Sequence, residues 1–371
     1  MVAAPSVRDM TRVAVIGAGI VGAACAYACA RRGLRVTVHD RGGLVAGTTG
    51  SGEGNILVSD KTPGPELDLA LRSNTLWREW APELDRHVPG GIELEPKGGL
   101  IVTRTATGMT ALTAAAGDLG ETLDQRAVRE LEPELARDIL GGAFFPQDMQ
   151  VQPARATAAL LAAARALGAV VTFHSEIRRV RDLAADAVVN ATGAWAGQFG
   201  GGLPTEPRRG FILVTEPLPV LIRHKVYSAE YLENVASGDA ALQTSTVVEG
   251  TPGGPVLIGA TRERVGFDAT PNPAALARLA AGAAALFPFL RDVRIMRSYH
   301  GFRPYSPDHL PVIGPDPATP GLWHAHGHEG AGIGLAPATG ELIADLLTGA
   351  VPTVDPAAFA PARFGPSEVA A

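Results

Sequence analysis

This sequence is most constrained by an uncharged stretch near its start, VAVIGAGIVGAACAYACA, which spans residues 13–30. A secretory signal or a membrane anchor would also place an apolar run after two arginines. A spanning helix, however, needs about 20 strongly apolar residues, and Gly17, Gly19 and Gly22 interrupt this run. Because each glycine costs a helix interior about 1 kcal/mol relative to alanine, the glycines indicate another structure.

The same stretch and the residues after it have the pattern of a βαβ unit. They predict a buried strand over residues 13–16, an alanine-rich helix over 19–32 and a second, β-branched strand over 35–39. Asp40 follows the second strand, 18 residues after Gly22. A carboxylate at this place accepts hydrogen bonds from the ribose hydroxyl groups of a bound dinucleotide. The unit is typical of an α/β fold of the Rossmann type.

The three glycines each have a separate task in such a unit. Gly17 permits the tight turn after the strand, Gly19 lets a pyrophosphate approach the backbone, and Gly22 lets the helix pack on the sheet. The phosphates then meet the start of the helix at Ile20 and Val21, where the helix dipole favours negative charge. The sequence therefore predicts a dinucleotide site here.

Composition narrows the class of protein. The chain has 371 residues, enough for two domains, and a net charge of −6 without a basic block, which argues against nucleic acid or an anionic membrane as partner. Its two cysteines, Cys25 and Cys29, are too few for an iron–sulfur cluster, a disulfide scaffold or a structural zinc. Since no other apolar run reaches spanning length, we expect a cytoplasmic enzyme without a membrane span.

A loop rich in glycine, serine and threonine follows the strand that ends at Asp40. Its sequence, GLVAGTTGSGEGNILVSDK, covers residues 43–61 and is too rich in turn formers for regular structure. We expect it to wrap the dinucleotide, although a solvent loop has the same composition. The residues predicted to bind the cofactor in this part of the chain are Gly17, Gly19, Ile20, Val21, Gly22, Asp40, Arg41, Thr48, Thr49, Ser51 and Gly52.

The rest of the chain alternates between two kinds of pattern. Residues 64–80 predict an amphipathic helix, residues 106–135 look largely helical, and residues 206–299 contain short alternating strands typical of an antiparallel sheet. We predict a discontinuous dinucleotide-binding domain over 12–90, 146–205 and 300–363, an interleaved α+β substrate domain with an antiparallel sheet over 91–145 and 206–299, and tails at 1–11 and 364–371.

Several further segments occur in a fixed order along nearly the whole chain. They are GAGIVG, GTTGSGEGN, VQPARATAALL, VVNATGAWAG, GFRPYSPDHLPVIG and GHEGAGIGLAPATG. Together they resemble the FAD-dependent amine and D-amino-acid oxidoreductases, a family that includes glycine oxidase, hydroxyproline dehydrogenase and hydrogen cyanide synthase subunits. EGNILVSDK and GHEGAGIG look closest to the last two. The resemblance implies FAD as cofactor and the fold of a flavoprotein with two dinucleotide-binding domains.

The resemblance also implies the remaining cofactor contacts. It makes residues 328–334 the glycine-rich turn and helix start that face the flavin ring, where helix N–H groups stabilise the negative charge of the reduced ring; a plain helix cap is the alternative. It places Ile177 on the strand whose backbone holds the adenine. The implied contacts are Ile177, Thr192, Gly193, His328, Glu329, Gly330, Ala331, Gly332, Ile333 and Gly334.

Arg303, in the segment GFRP, matches the family arginine that grips the substrate carboxylate. A guanidinium suits this task because its planar fork binds a carboxylate bidentately and stays charged. The family tyrosine that assists it is missing from the strand before VLIGAT. Tyr227 and Tyr231, which would share a face of the preceding strand, either replace it or pack inside the sheet. Thr244 and Thr246 are weaker candidates.

Three histidines, His324, His326 and His328, alternate along a strand near the C-terminus. Their spacing resembles a metal site, but the one nearby carboxylate, Glu329, would point away in an extended chain, and we predict no metal. We expect His326 or His328 to line the flavin pocket and include His328 among the candidate catalytic residues, with Arg303 and the two tyrosines.

The connection between two later strands of the dinucleotide-binding domain is unusually short. A helix over residues 153–167 and a strand over 169–173 precede a strand that runs into Thr192 and Gly193. Only about ten residues separate the two strands, too few for the usual β-meander crossover of related flavoproteins. Trp195 is expected in the core.

Together these features predict oxidation of the C–N bond of a small amino or imino acid, such as glycine, an N-substituted glycine or a D-amino or D-imino acid. A hydride would pass to flavin N5, and the imine would hydrolyse to an oxo acid and ammonia or an amine. The acceptor is dioxygen, a quinone or a partner protein, and the chain is a homo- or hetero-oligomer or acts alone. The alternatives are a nicotinamide-dependent dehydrogenase and a catalytically silent flavin-binding subunit.

Overall fold

The first of two large sheets contains the predicted βαβ unit. In the computed structural model, which describes residues 12–200, 203–229, 232 and 237–365, this unit consists of β1 (Arg12–Ile16), α1 (Ile20–Arg31) and β2 (Arg35–His39). The sheet has six strands and is parallel except at its antiparallel edge pair. In spatial order its strands are β15 (Val312–Pro315), β16 (Leu322–His326), β9 (Ala187–Asn190), β1, β2 and β8 (Val170–Thr172).

Four helices share one apolar core with this sheet. The helices over residues 65–84 and 153–166 turn one buried face to the core, whereas α1 and the first half of the helix over 332–348 are buried on almost every side. The predicted helix over residues 64–80 continues to Leu84. The helices are α1, α2 (Pro65–Leu84), α5 (Pro153–Ala166) and α7 (Gly332–Thr348).

The second sheet has eight strands and is antiparallel except where β11 (Lys225–Ser228) pairs with β4 (Gly99–Thr103). One face is covered by α6 (Pro273–Leu286) over a second apolar core, and the other face meets the first domain. In spatial order its strands are β14 (Ile295–Tyr305), β10 (Glu206–Thr215), β13 (Val256–Arg262), β12 (Gln243–Gly250), β11 (Lys225–Ser228), β4 (Gly99–Thr103), β6 (Gly141–Phe145) and β5 (Glu121–Asp124).

One prediction of secondary structure was incomplete and one was wrong. The segment 106–135 is helical over 18 of its 30 residues, but β5 separates α3 (Ala106–Ala116) from α4 (Gln125–Leu131) and forms the edge of the second sheet. Ile177 lies in no strand: the chain between β8 and β9 contains only a short 3-10 helix, Val180–Asp182. This connection is too short for a β-meander, which agrees with the short crossover expected there.

The fold class predicted from the sequence is confirmed: a Rossmann-type α/β sheet is combined with a separate, mainly antiparallel sheet. The exact domain division stays a prediction, and β14 crosses the boundary placed between residues 299 and 300. A short ribbon of β3 (Asn55–Ile56) and β7 (Met149–Gln150) completes the strands. Of the described helices, none has the length and apolar character needed to cross a membrane. The tail at 1–11 and residues 366–371 lie outside the described residues.

Candidate active site

A cavity of about 290 Å³ lies where the carboxyl ends of β1, β2 and β9 face the second sheet. Ligands of parallel sheets bind at such strand ends. Gly22, Ala331 and Gly334 lie outside its lining, in packing positions beside it. The predicted cofactor contacts that line it are Gly17, Gly19, Ile20, Val21, Asp40, Arg41, Thr48, Thr49, Ser51, Gly52, Ile177, Thr192, Gly193, His328, Glu329, Gly330, Gly332 and Ile333.

The glycines at the start of α1 are required by close backbone contacts. Gly17 has φ +103°, and a Cβ there would lie 2.5 Å from Ala191 O. A Cβ at Gly22 would lie 2.0 Å from Gly17 O. Gly19 provides no capping side chain, and the Ile20 N–H donates to Thr49 Oγ1 at 3.0 Å. The remaining N–H groups of the first turn are therefore available to an anion in the cavity.

Asp40 is held at the end of β2 by the backbone. Its Oδ2 accepts from the Ala18 N–H and its Oδ1 from the Gly42 N–H, each at 2.7 Å. Each carboxylate oxygen retains further lone-pair capacity toward the cavity. The arrangement suits the predicted ribose contact, which stays a prediction.

The loop after β2 connects the two sheets. Thr48 and Ser51 belong to a 3-10 helix, Thr48–Ser51. Thr48 Oγ1 donates to Phe302 O at 2.6 Å. A Cβ at Gly301 would lie 2.5 Å from Ser51 Cβ, so the loop rests directly on β14. This close packing brings the cofactor loop next to the strand that carries Arg303.

Arg303 lies in the wall that the second sheet contributes to the cavity. Its Nη1 donates to Thr261 O at 2.8 Å. Gly210 on β10 lies directly across from Gly301 on β14. A Cβ at Gly210 would lie 2.0 Å from Arg303 Nη1, and a Cβ at Gly330 would lie 3.5 Å from Arg303 Nε. Two positions without side chains thus leave room for the guanidinium beside the 328–332 turn.

The structure does not bring Tyr227 to Arg303. Tyr227 is fully buried, lies outside the cavity lining, and its hydroxyl contacts Ser59, whose own hydroxyl contacts Asp148. Tyr231 lies outside the described residues. Thr246 faces α6 on the opposite side of the sheet, since a Cβ at Gly282 would lie 2.3 Å from its hydroxyl.

The three histidines form hydrogen bonds rather than a metal site. His324 pairs with Asp316 at 2.8 Å and with His326 at 3.1 Å, and His328 Nε2 lies 2.9 Å from Thr339 Oγ1. His326 and His328 line the cavity. Burial lowers the pKa of His328 to about 3 and also lowers the pKa of the other two, so all three are neutral near pH 7. Among the described residues, no group has the arrangement of a metal site.

Glu329 points away from the three histidines, as expected, although its φ of +46° shows that the chain is not extended there. Its carboxylate lies 3.2 Å from Arg208 Nη1 on the second sheet. One expectation about a side chain was wrong. Trp195 is not a core residue: it lines the cavity, stacks on Phe267 at 5.0 Å, and has the Arg41 guanidinium 4.4 Å from its ring centre. An aromatic residue five positions after a strand that ends at the cavity was the signal for this place.

Sequence reasoning also missed a buried polar chain between the domains. Asn55 Nδ2 donates to Glu53 Oε2 at 3.2 Å, Lys225 Nζ contacts Asn55 Oδ1, and Lys225 pairs with Glu249. Lys225 and Glu249 are both fully buried. Burial raises the pKa of Glu249. Lys225 and Asn55 are 170 positions apart in the sequence, so no local pattern could predict the contact between them.

The fold and this cavity define a dinucleotide-binding protein with a separate sheet closing its site. The residues of this cavity fit FAD. At Gly17 and Gly22 no side chain covers the start of α1, and the cavity continues from Asp40 to the turn at 328–332. This turn leads into α7, whose N-cap residue, Ala331, also provides no capping side chain. The cavity therefore offers two helix N-termini to anionic parts of one ligand.

The chain belongs to the DAO family of FAD dependent oxidoreductases, because the sequence profile of that family matches residues 12–346. This confirms the predicted family, the cofactor and an enzyme that acts on C–N donors, and it overturns the nicotinamide-dependent alternative.

Among its relatives is the glycine oxidase of Geobacillus kaustophilus, 30% identical over 90% of this chain and 92% of that protein. Its crystal structure superimposes with a TM-score of 0.86, covering 95% of this chain and 99% of that one at 29% identity. The hydrogen cyanide synthase subunit HcnC of Pseudomonas aeruginosa is 29% identical over 96% and 97% of the two chains. The chain spans about half, 53%, of the bifunctional protein ThiO/ThiG of Nostoc, to which it is 31% identical over 91% of its own length.

Proposed function

We propose that the enzyme oxidises the C–N bond of a small amino or imino acid: glycine, an N-substituted glycine, or a D-amino or D-imino acid. The observation that carries this proposal is the guanidinium of Arg303, held at the cavity wall by Thr261 and by the absence of side chains at Gly210 and Gly330. Its fork matches a carboxylate. The glycine oxidase relative supports an amino-acid substrate.

Bound FAD supplies the hydride acceptor in this proposal. The part of the protein is to position the substrate: Arg303 holds the carboxylate and thereby fixes the place of the Cα–H bond. His326 and His328 add no positive charge to the cavity wall, because burial keeps them neutral. The nitrogen lone pair drives the hydride out, so no side-chain base is required.

The product leaves in a second, simpler step. Water hydrolyses the substrate imine to an oxo acid and ammonia or an amine. Reoxidation of the FAD would require dioxygen, a quinone or a partner protein as electron acceptor. Cys25 and Cys29 are buried in α1, so they offer no thiol relay to such a partner. A cytoplasmic location and an oligomeric assembly also stay predictions.

The test is anaerobic reduction of the purified yellow protein. We expect glycine, N-methylglycine, D-proline or D-alanine to bleach the flavin absorbance, and the fastest of them identifies the substrate class. A protein that binds FAD but is bleached by no amino or imino acid would instead be the silent flavin-binding subunit.

Replacing Arg303 gives a sharper test of the carboxylate site. We expect Arg303→Ala to keep the yellow colour and raise KM about 100-fold or more, because an unpaired substrate carboxylate in the cavity costs several kcal/mol. Arg297→Ala is the matched control, since Arg297 is an exposed arginine on the same strand. An unchanged KM in Arg303→Ala would remove this residue from the site.

A further inference from the structure

We propose that Trp195 and Phe267 form an aromatic clasp that holds the guanidinium of Arg41 at the diphosphate of bound FAD. The clasp makes a residue that follows a strand of the second sheet part of the cofactor site. It gives a role to Trp195, which the sequence placed in the core, and to Phe267, which the sequence did not single out. The proposal does not depend on which substrate the enzyme oxidises.

Arg41 is a cation of the cavity wall whose carboxylate neighbours are engaged elsewhere. It directly follows Asp40, lines the cavity and is exposed at its rim. Asp40 accepts from backbone N–H groups with both of its oxygens, each at 2.7 Å. Glu176, another acid in the cavity lining, pairs with Arg178 at 2.8 Å. The guanidinium of Arg41 is therefore available to an anionic ligand.

The indole of Trp195 fixes the position of this guanidinium. The guanidinium carbon of Arg41 lies over the Trp195 ring, 4.4 Å from its centre. A cation at this distance is attracted by the π electrons of the indole. The contact restricts a side chain that would otherwise move among many rotamers. Trp195 also lines the cavity, so the restricted guanidinium stays at the cavity wall.

Phe267 supports Trp195 from the second sheet. It lies in the turn after β13, with its ring centre 5.0 Å from that of Trp195 and the two ring planes 14° apart. Phe302 on β14 meets both rings edge-on, at 5.2 Å from Phe267 and 6.5 Å from Trp195. Such aromatic pairs stabilise a structure beyond the area that they bury. Phe267 stays 45% exposed, so its contribution is this contact and not burial in a core.

The clasp stands beside the start of α1. A Cβ at Gly47 would lie 3.5 Å from Cζ3 of Trp195, so the indole rests on the loop that carries Thr49. Thr49 Oγ1 accepts from the Ile20 N–H, in the first turn of α1, at 3.0 Å. The N–H groups of a first helical turn favour an anion such as a diphosphate. The guanidinium on Trp195 therefore lies on the side of the cavity where the diphosphate is expected.

These contacts connect the cofactor to both sheets. Arg41 follows a strand of the first sheet, Phe267 follows a strand of the second, and the Trp195 ring contacts both side chains. A guanidinium binds phosphate oxygens through its planar fork, and the clasp orients that fork in advance. Because less side-chain freedom is then lost on binding, the affinity for FAD is higher.

The test is the Kd of the apoprotein for FAD, followed by the change in flavin fluorescence during titration. We expect Arg41→Gln and Trp195→Leu each to raise this Kd about fivefold to tenfold, as the loss of a cation–π or phosphate contact implies. Because Trp195 acts through Arg41, Trp195→Leu should have little further effect in the Arg41→Gln background. Equal effects in both backgrounds would mean that Trp195 acts by packing alone and would overturn the proposal.

Phe267→Ala tests the contribution of the second sheet. We expect it to raise the Kd for FAD about threefold, whereas Phe267→Tyr should keep the wild-type affinity because it retains the ring. Val265→Ala is the matched control, since Val265 is an exposed apolar residue of the same turn. Arg31→Gln is the control for Arg41→Gln, because the Arg31 guanidinium lies 5.8 Å from the ring centre of Trp80, outside the cavity lining. Neither control should change the Kd.

ADP separates the diphosphate from the flavin ring as the partner of Arg41. Its Kd is measured by competition with FAD, and Arg41→Gln should raise it by the same factor as the Kd for FAD. An unchanged Kd for ADP, or an unchanged Kd for FAD in Arg41→Gln or Phe267→Ala, would overturn the proposal. If Trp195→Leu does not fold, the double-mutant comparison of Arg41→Gln with Phe267→Ala decides, because both of these residues are exposed.

Discussion

Several glycines shape this cavity because they have no side chain. At Gly17 and Gly22 the α1 helix touches the strand ends so closely that any side chain would collide with backbone atoms. At Gly210 and Gly330 the missing side chains leave space for Arg303. The same residue type therefore allows close backbone packing at one end of the cavity and leaves room at the other end for the guanidinium that we propose binds the substrate.

A prediction at this scale concerns Gly22. We expect Gly22→Ala to lose FAD, because its Cβ would lie 2.0 Å from Gly17 O and push the phosphate turn out of shape. Flavin absorbance of the purified protein after addition of FAD measures the loss. Gly43→Ala, in the same unit but with open space at its Cβ position, should retain the cofactor. Full FAD occupancy in Gly22→Ala would contradict the role given to this glycine.

Between elements, α2 holds the start of α7 at the cavity. Ser73 Oγ donates to Gly334 O at 2.5 Å, and Trp77 Nε1 donates to Ile333 O at 3.1 Å. These carbonyls belong to the first turn of α7, whose N–H groups face the cavity. The position of a functional helix end is thus decided by hydrogen bonds from a helix that does not itself line the cavity.

Two tryptophans on α2 allow this contact to be tested. Trp77→Phe removes a hydrogen bond, whereas Trp80→Phe removes an indole N–H that has no partner among the described residues. Both side chains are buried and lose the same volume. We expect Trp77→Phe to lower the free energy of unfolding by about 1 kcal/mol more than Trp80→Phe, measured by urea unfolding. Equal losses would mean that the bond to Ile333 contributes nothing.

Across the whole molecule, buried polar groups join the two sheets. Asp148 accepts from the Val58 N–H at 2.8 Å and contacts the Ser59 hydroxyl, which in turn contacts Tyr227 on the second sheet. Burial raises the pKa of Asp148 to about 7. The carboxyl group therefore binds its proton more tightly in the folded protein than in the unfolded chain, where its pKa is about 3.9.

The raised pKa of Asp148 makes the folded protein less stable as the pH rises. Asp148 stabilises the fold fully only below about pH 3.9, and its contribution is lost as the pH rises through about 7. We expect the stability of Asp148→Asn relative to the wild type to improve from pH 5 to pH 8, because asparagine does not ionise. Urea unfolding at both pH values measures this. Asp138→Asn, at an exposed aspartate, should show no such trend, and a constant difference for Asp148→Asn would contradict the assignment.

Sequence reasoning succeeded where the interacting residues lie close together in the sequence. The βαβ unit was predictable because its glycines, strands and Asp40 interact within about thirty residues of one another. Tyr227 shows the limit. Strand alternation tells which residues share a face, but the side chain turned out to contact Ser59 between the domains, far from Arg303. Strand alternation likewise could not give the partners of Glu329, because its φ of +46° takes it out of the extended conformation.

The amino-acid sequence alone determined the βαβ unit, the glycine turn before α1 and the family, since these depend on local backbone sterics and on segments in a fixed order. Only the tertiary structure decided which charged groups meet. It set Glu329 beside Arg303, with Arg208 behind it, and joined Asn55 to Lys225. The contacts of Glu329 with Arg208 and of Asn55 with Lys225 connect residues 121 and 170 positions apart, and they form only when the two sheets close on one cavity.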